Sequence, residues 1–313
     1  MELQLTDVPD PDPTLEPDGF MVQTAAGDRL HFLDWGVPQE RGVRRGVVAV
    51  HGLGQTAWIW APVARRLGGP RGPLKFISMD LRGHGLSDAP TDDGAYDLAL
   101  FADDVVAVAE GYGLDGGAGD QEGVVLVGHG FGAIVVAGAA RRLGTDCGGL
   151  VLVDGGWESL ETSTGMDPDE FLRGLDEPPA VMASLDAFLA DRRAFGPDTW
   201  DSDQDRAARA TIVETHAGRV VPSARPHATD ASVRAMFTYD PVATLAAVDA
   251  PIVALAAADD ETGSRMRALV RASDARAASG RPTIEVVEFR HDGHNLMRYR
   301  PREVAAAILA VAS

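Results

Sequence analysis

Residues Gly128-His129-Gly130-Phe131-Gly132 have the spacing of a nucleophile elbow, G-x-S-x-G, in which a sharp turn from a strand into a helix lifts a serine hydroxyl above a parallel sheet. A serine at the centre would attack a carbonyl carbon with the help of a base. Here the centre is Gly130, which has no side chain to attack with. Losing the serine of such a site costs on the order of 10⁶-fold in kcat. The turn itself tolerates the change, because glycine accepts strained backbone more readily than serine does. Any chemistry at this corner must come from groups that other elements bring to it.

Those elements follow an α/β rhythm. Residues 20–24 and 30–35 alternate apolar and polar across an Ala-Gly-Asp turn, predicting an antiparallel hairpin. The continuous apolar run at 47–50 reads as a strand covered on both faces, and 76–79, 124–127, 150–153, 252–255 and 284–289 read as further strands. Helical patterns at 57–67, 98–112, 131–143, 265–278 and 303–312 lie between or after them. Between residues 155 and 237 the strand rhythm stops, and helical patterns broken by prolines suggest a helical cap. The predicted organisation is a disordered acidic arm over 1–18, an α/β core over 19–154 and 238–313, and a cap over 155–237. The core should hold a mostly parallel sheet of eight strands with helices on both faces.

Composition narrows the partners. A net charge of −19 spread along 313 residues repels phosphate backbones and anionic lipid, so neither nucleic acid nor a membrane is expected. Cys147 is the single cysteine, which rules out an internal disulfide and a zinc site built from several cysteines. The first residues, Met-Glu-Leu-Gln-Leu, lack the basic and apolar stretches of a signal peptide, so a cytoplasmic location is expected. A monomer or homodimer is expected as well. No phosphate-cradling loop stands out, and no cofactor or metal is expected.

Four further segments carry a resemblance. They are His51-Gly52-Leu53-Gly54, the loop Asp80-Leu81-Arg82-Gly83-His84-Gly85-Leu86-Ser87-Asp88, the run from Pro251 that ends Ala258-Asp259-Asp260, and Asp292-Gly293-His294-Asn295-Leu296. Together with the elbow, and in this order, they resemble the α/β-hydrolase superfamily. The likeness is to its compact capped branch of epoxide hydrolases, haloalkane dehalogenases, esterases, lactonases and carbon-carbon bond hydrolases. The resemblance implies Asp260 as the acid that orients the base His294, with Asp154 as the alternative acid. It also implies an oxyanion hole from the Leu53 and Phe131 amides, and it places Gly130 at the nucleophile position.

With the nucleophile gone, a base beside an oxyanion hole remains suited to enolate chemistry. It could drive elimination, isomerisation or a carbon-carbon bond change, or activate a water where the serine oxygen would stand. A Gly130→Ala change is expected to be nearly silent. Gly52, Trp58, His129, Trp157 and Phe237 are the candidate substrate contacts. With Phe171, Phe188 and Trp200 the aromatics would form an apolar ceiling over a small hydrophobic or aromatic, carbonyl-containing metabolite. Two other readings stay open. One is an ordinary esterase or lactonase whose elbow serine has been replaced by glycine; the other is a ligand-binding protein without catalysis. His51, His84, Asp80 and Ser87 read as loop-bracing residues, and Cys147 as packing.

Overall fold

The computed structural model describes residues 3–38, 45–114, 123–175, 182, 184–257, 263–289 and 292–313. The strands are β1 (Asp18–Gln23), β2 (Arg29–Asp34), β3 (Gly46–Val50), β4 (Lys75–Met79), β5 (Val124–His129), β6 (Cys147–Val153), β7 (Ile212–Glu214), β8 (Val220–Pro222), β9 (Ile252–Ala257) and β10 (Glu285–Phe289). Eight of them form one sheet in the order β1-β2-β4-β3-β5-β6-β9-β10. Pairings β1–β2 and β2–β4 are antiparallel and the remainder parallel, matching the expected sheet.

The helices of the core are α1 (Ala61–Leu67), α2 (Leu98–Gly111) and α3 (Phe131–Leu143). In the cap come α4 (Leu160–Thr164), α5 (Pro168–Gly174), α6 (Leu185–Ala194), α7 (Ser202–Ala210) and α8 (Pro226–Phe237). The core then resumes with α9 (Pro241–Ala246), α10 (Ser264–Ala278), α11 (Leu296–Tyr299) and α12 (Pro301–Ala312).

Successive strand side chains point to opposite faces, and the two cores divide accordingly. Val48, Val50, Leu126, Leu150 and Leu152 join α2, α3 and α10 through Phe101, Val105, Val136 and Leu269. Val47, Ala49, Val125, Val127 and Val151 join α1 and α12 through Leu67, Val304 and Ile308. Burial on both faces explains why these strands read as unbroken apolar runs.

Register brings the site together. Val50 pairs with Gly128, and His129 pairs with Val153, so the segments beginning at His51, Gly130 and Asp154 leave neighbouring strands at the same edge. Because β4 and β5 flank β3 on opposite sides, this edge is a topological switch point, where α/β sheets open a crevice.

Two expectations are corrected. Residues 3–18 are ordered against the core: Val8 is buried, the Arg66 guanidinium donates to Pro9 O, and the nearly buried Arg65 donates to backbone carbonyls of Asp12, Pro13 and Leu15 and pairs with Glu16 at 3.0 Å. Charged hydrogen bonds from the core supply what the arm's sparse apolar content lacks. Second, the cap contains the antiparallel ribbon β7–β8 as well as helices. Its strands have three residues each and one ends at Pro222, too short for an alternation pattern to show in the sequence.

Candidate active site

The elbow is built by close approach. A Cβ on Gly128 would stand 2.3 Å from Gly132 O, and one on Gly132 would stand 2.4 Å from both Val50 O and His51 O. Only glycine lets β5 turn into α3 here, against β3. Between them Gly130 has φ 54° and ψ −114°, a strained, positive-φ turn from the strand into the helix. A Cβ added at Gly130 would lie 3.1 Å from His294 Nε2 and 3.5 Å from its Cε1. The His294 ring therefore faces the position that a side chain at residue 130 would fill.

His294 is held from its other nitrogen. Its Nδ1 lies 2.5 Å from Asp154 Oδ2. Asp154 follows β6 with a φ of 47°, the one positive value of a non-glycine residue among the described residues. Its second oxygen accepts from the Ala257 amide at 3.0 Å and pairs with Arg265 at 2.9 Å. Burial works to raise the Asp154 pKa, but the His294 hydrogen bond and the Arg265 charge outweigh it and bring the carboxyl down to about 2. Asp154 is thus a fixed anion that locks the tautomer and orientation of His294. Asp260, the acid expected first, lies outside the described residues.

A second network sits beneath. Gln55 Oε1 accepts from the Gly52 amide at 3.0 Å, and Gln55 Nε2 donates to Asn295 Oδ1 at 2.8 Å, tying the loop after β3 to the loop of His294. His129 is buried under both, with Nδ1 3.0 Å from Gln55 Oε1, Nε2 3.1 Å from His294 O, and its ring 4.3 Å from that of His294. Burial pushes the His129 pKa well down, so the ring is neutral and donates to one of these oxygens. With one ring nitrogen set against each loop, His129 braces the two loops. Gly52 packs on the same ring, where an added Cβ would meet Nδ1 at 2.8 Å.

The Leu53 and Phe131 amides have no protein acceptor among the described residues, and both residues line the cavity. The Phe131 amide is also the first of α3, where the helix dipole favours negative charge. An oxyanion can be received there.

The cavity measures about 1070 Å³ and opens between the carboxyl edge of the sheet and the cap. Its walls include Gly52, His129, Gly130, Asp154 and His294, with Phe171, Phe188 and Trp200 from the cap, as expected. Three expected contacts are corrected. Trp58 turns away, with its ring edge-on to Trp35 and under Arg206. Trp157 is fully buried below Arg265. Phe237 lies behind Phe171, at 5.7 Å between ring centres, in a surface depression beside α4 and α5. Each aromatic packs against a residue of another element, which composition cannot distinguish from a cavity wall.

Sequence reasoning also passed over Arg265, Gln55 and Asn295. The usable signals were an arginine in the first turn after a strand tip and two amides beside a glycine loop and a histidine.

The profile of the alpha/beta hydrolase family matches residues 47–307. The chain belongs to the alpha/beta hydrolase family. Solved structures that it resembles include an E-2-(acetamidomethylene)succinate hydrolase, with 20% identity, a TM-score of 0.74, and 94% of this chain and 98% of the other covered. An alpha/beta hydrolase from Novosphingobium aromaticivorans DSM 12444 is 22% identical with a TM-score of 0.69, covering 96% of this chain and 99% of that one. An M. tuberculosis esterase is 22% identical with a TM-score of 0.62, covering 94% and 91%. These likenesses establish the fold. Around Gly130 stand His294, Asp154 and the Leu53 and Phe131 amides. No helix among the described residues is long and apolar enough to cross a membrane.

Proposed function

We propose that this alpha/beta hydrolase-fold chain is an enzyme that works without a covalent nucleophile, using His294 and Asp154 as an acid–base pair on a small hydrophobic, carbonyl-containing metabolite. The observation that carries the reading is the placement of His294 Nε2, aimed into the space above Gly130 while Nδ1 is fixed by Asp154. In this mechanism Nε2 takes a proton from the carbon next to the substrate carbonyl, and the C–H electron pair becomes an enolate. The enolate oxygen is received by the Leu53 and Phe131 amides. Asp154 stays ionised and stabilises the imidazolium until the proton is returned or passed to a leaving group. A water in the same position, activated by Nε2, would extend the chemistry to hydrolysis without an acyl-enzyme. No cofactor is required for either course.

A second reading starts from the elbow itself: the spacing of Gly128, Gly130 and Gly132 and the positive φ at Gly130 are those expected of a turn that carries a serine. On that reading the chain is a serine hydrolase fold missing one hydroxymethyl group. The two are separated by treating the unaltered chain and Gly130→Ser with p-nitrophenyl butyrate and a fluorophosphonate. The serine-free mechanism expects no labelling of the unaltered chain, together with His294-dependent turnover of carbonyl compounds. The second reading expects ester cleavage and labelling to appear in Gly130→Ser, with no turnover of any kind before the change. Ligand binding with no turnover in either form would leave a carrier.

A further inference from the structure

Four arginines line the cavity, Arg192, Arg225, Arg265 and Arg298, in a chain with 47 acidic and 28 basic residues. Two are neutralised locally: Arg265 by Asp154 and Glu158, and Arg192 by Asp191. Arg225 and Arg298 have no carboxylate partner among the described residues. Arg298 is the more informative. Its Nε donates to Thr199 Oγ1 at 2.7 Å and its Nη2 to Gly196 O at 2.6 Å, both neutral acceptors in the cap. The Trp200 and Tyr299 rings flank it at 5.8 and 5.5 Å, while Nη1 has no protein acceptor among the described residues. Arg276 shows the contrast, since its guanidinium also meets only carbonyls but spends all three nitrogens on four of them and lies fully buried.

A guanidinium held rigidly on one edge, unpaired on the other and open to a mostly apolar cavity is pre-organised for an anionic oxygen. We infer that the cavity binds an apolar ligand through a carboxylate, received by Arg298, with Arg225 from the turn before α8 as a second cation. Arg298 lies on α11, just beyond the loop that carries His294, so one end of the ligand is anchored beside that loop. The inference shares the cavity with the proposed function but not its chemistry, and it is read by binding alone.

The test uses isothermal titration and Trp200-sensitive fluorescence at pH 8 with 3-phenylpropanoate, its neutral counterpart 3-phenylpropanamide, and 3-phenylpropyl phosphate. The carboxylate should bind at least about tenfold more tightly than the amide, the scale of a charge-assisted hydrogen bond. In Arg298→Gln that preference should fall to near unity with the amide's affinity retained, and Arg298→Lys should keep part of it. Equal binding of carboxylate and amide by the unaltered chain, or an unchanged ratio in Arg298→Gln, overturns the inference. So does a parallel loss for both ligands, which would mean that Arg298 only holds the cap. Tighter binding of the phosphate would overturn the carboxylate assignment.

Discussion

Gly130→Ala adds one methyl group, and the structure gives the size of its effect. The new Cβ would stand 3.1 Å from His294 Nε2, whereas ordinary contact begins near 3.4 Å, so the imidazole must move by about 0.3 Å. Retreat along the ring axis is blocked, because Nδ1 already lies 2.5 Å from Asp154 on the far side. The ring must instead swing toward the cavity, where its side chain is 56% exposed, and that swing misaligns the Asp154 hydrogen bond. The methyl also fills the place of the reacting atom. The displaced ring and the filled reaction space together should lower kcat/KM by about 10-fold or more, toward the roughly 10²-fold that a 1 Å misplacement costs. The left-handed backbone at φ 54° adds a stability cost of about 1–2 kcal/mol for any L side chain. The expectation from sequence alone, a nearly silent alanine, is thereby reversed. The assay is deuterium uptake from D2O into 4-phenylbutan-2-one followed by NMR, alongside urea unfolding. Full exchange activity in a folded Gly130→Ala protein would refute the placement of the reaction above Gly130.

Three other outcomes follow from the same network. Asp154 has its folded-state pKa depressed to about 2 against about 3.9 when unfolded, so its stabilisation is complete above pH ~4 and is lost as pH falls toward 2. Over that range the unaltered chain should lose roughly 2–3 kcal/mol relative to Asp154→Asn, measured by urea unfolding at stepped pH. Arg265→Gln removes the cation shared by Asp154 and Glu158 and should cost about 3 kcal/mol or more at neutral pH, with the Asp154 carboxyl moving up toward its ordinary range by NMR titration. Gln55→Ala leaves the Gly52 amide and Asn295 without this partner, and a loss of about 1–3 kcal/mol is expected in thermal or urea unfolding.

The fold was legible because parallel strands buried on both faces write themselves as apolar runs, and because the glycines at 128 and 132 are forced by backbone contacts that no side chain fits. His294 was legible from its loop motif. The partner of its Nδ1 was not: spacing offers carboxylates after two neighbouring strands, β6 and β9, and only side-chain reach shows that Asp154 closes on the ring. The cap was the least readable part. Its aromatics look alike in sequence, yet Phe171, Phe188 and Trp200 face the cavity while Trp157 and Phe237 are spent on packing. The arm misled for another reason, since its order depends on Arg65 and Arg66, donors far along the chain that composition of the arm itself does not contain.

The central claim is that His294, without a serine, moves protons above Gly130. The most direct measurement is the rate of deuterium uptake into 4-phenylbutan-2-one by the unaltered chain and by His294→Ala, both shown to be folded. The serine-free mechanism predicts exchange above the buffer rate that disappears in His294→Ala. Exchange that persists unchanged in His294→Ala, or that never exceeds the buffer rate in the unaltered chain, would contradict it.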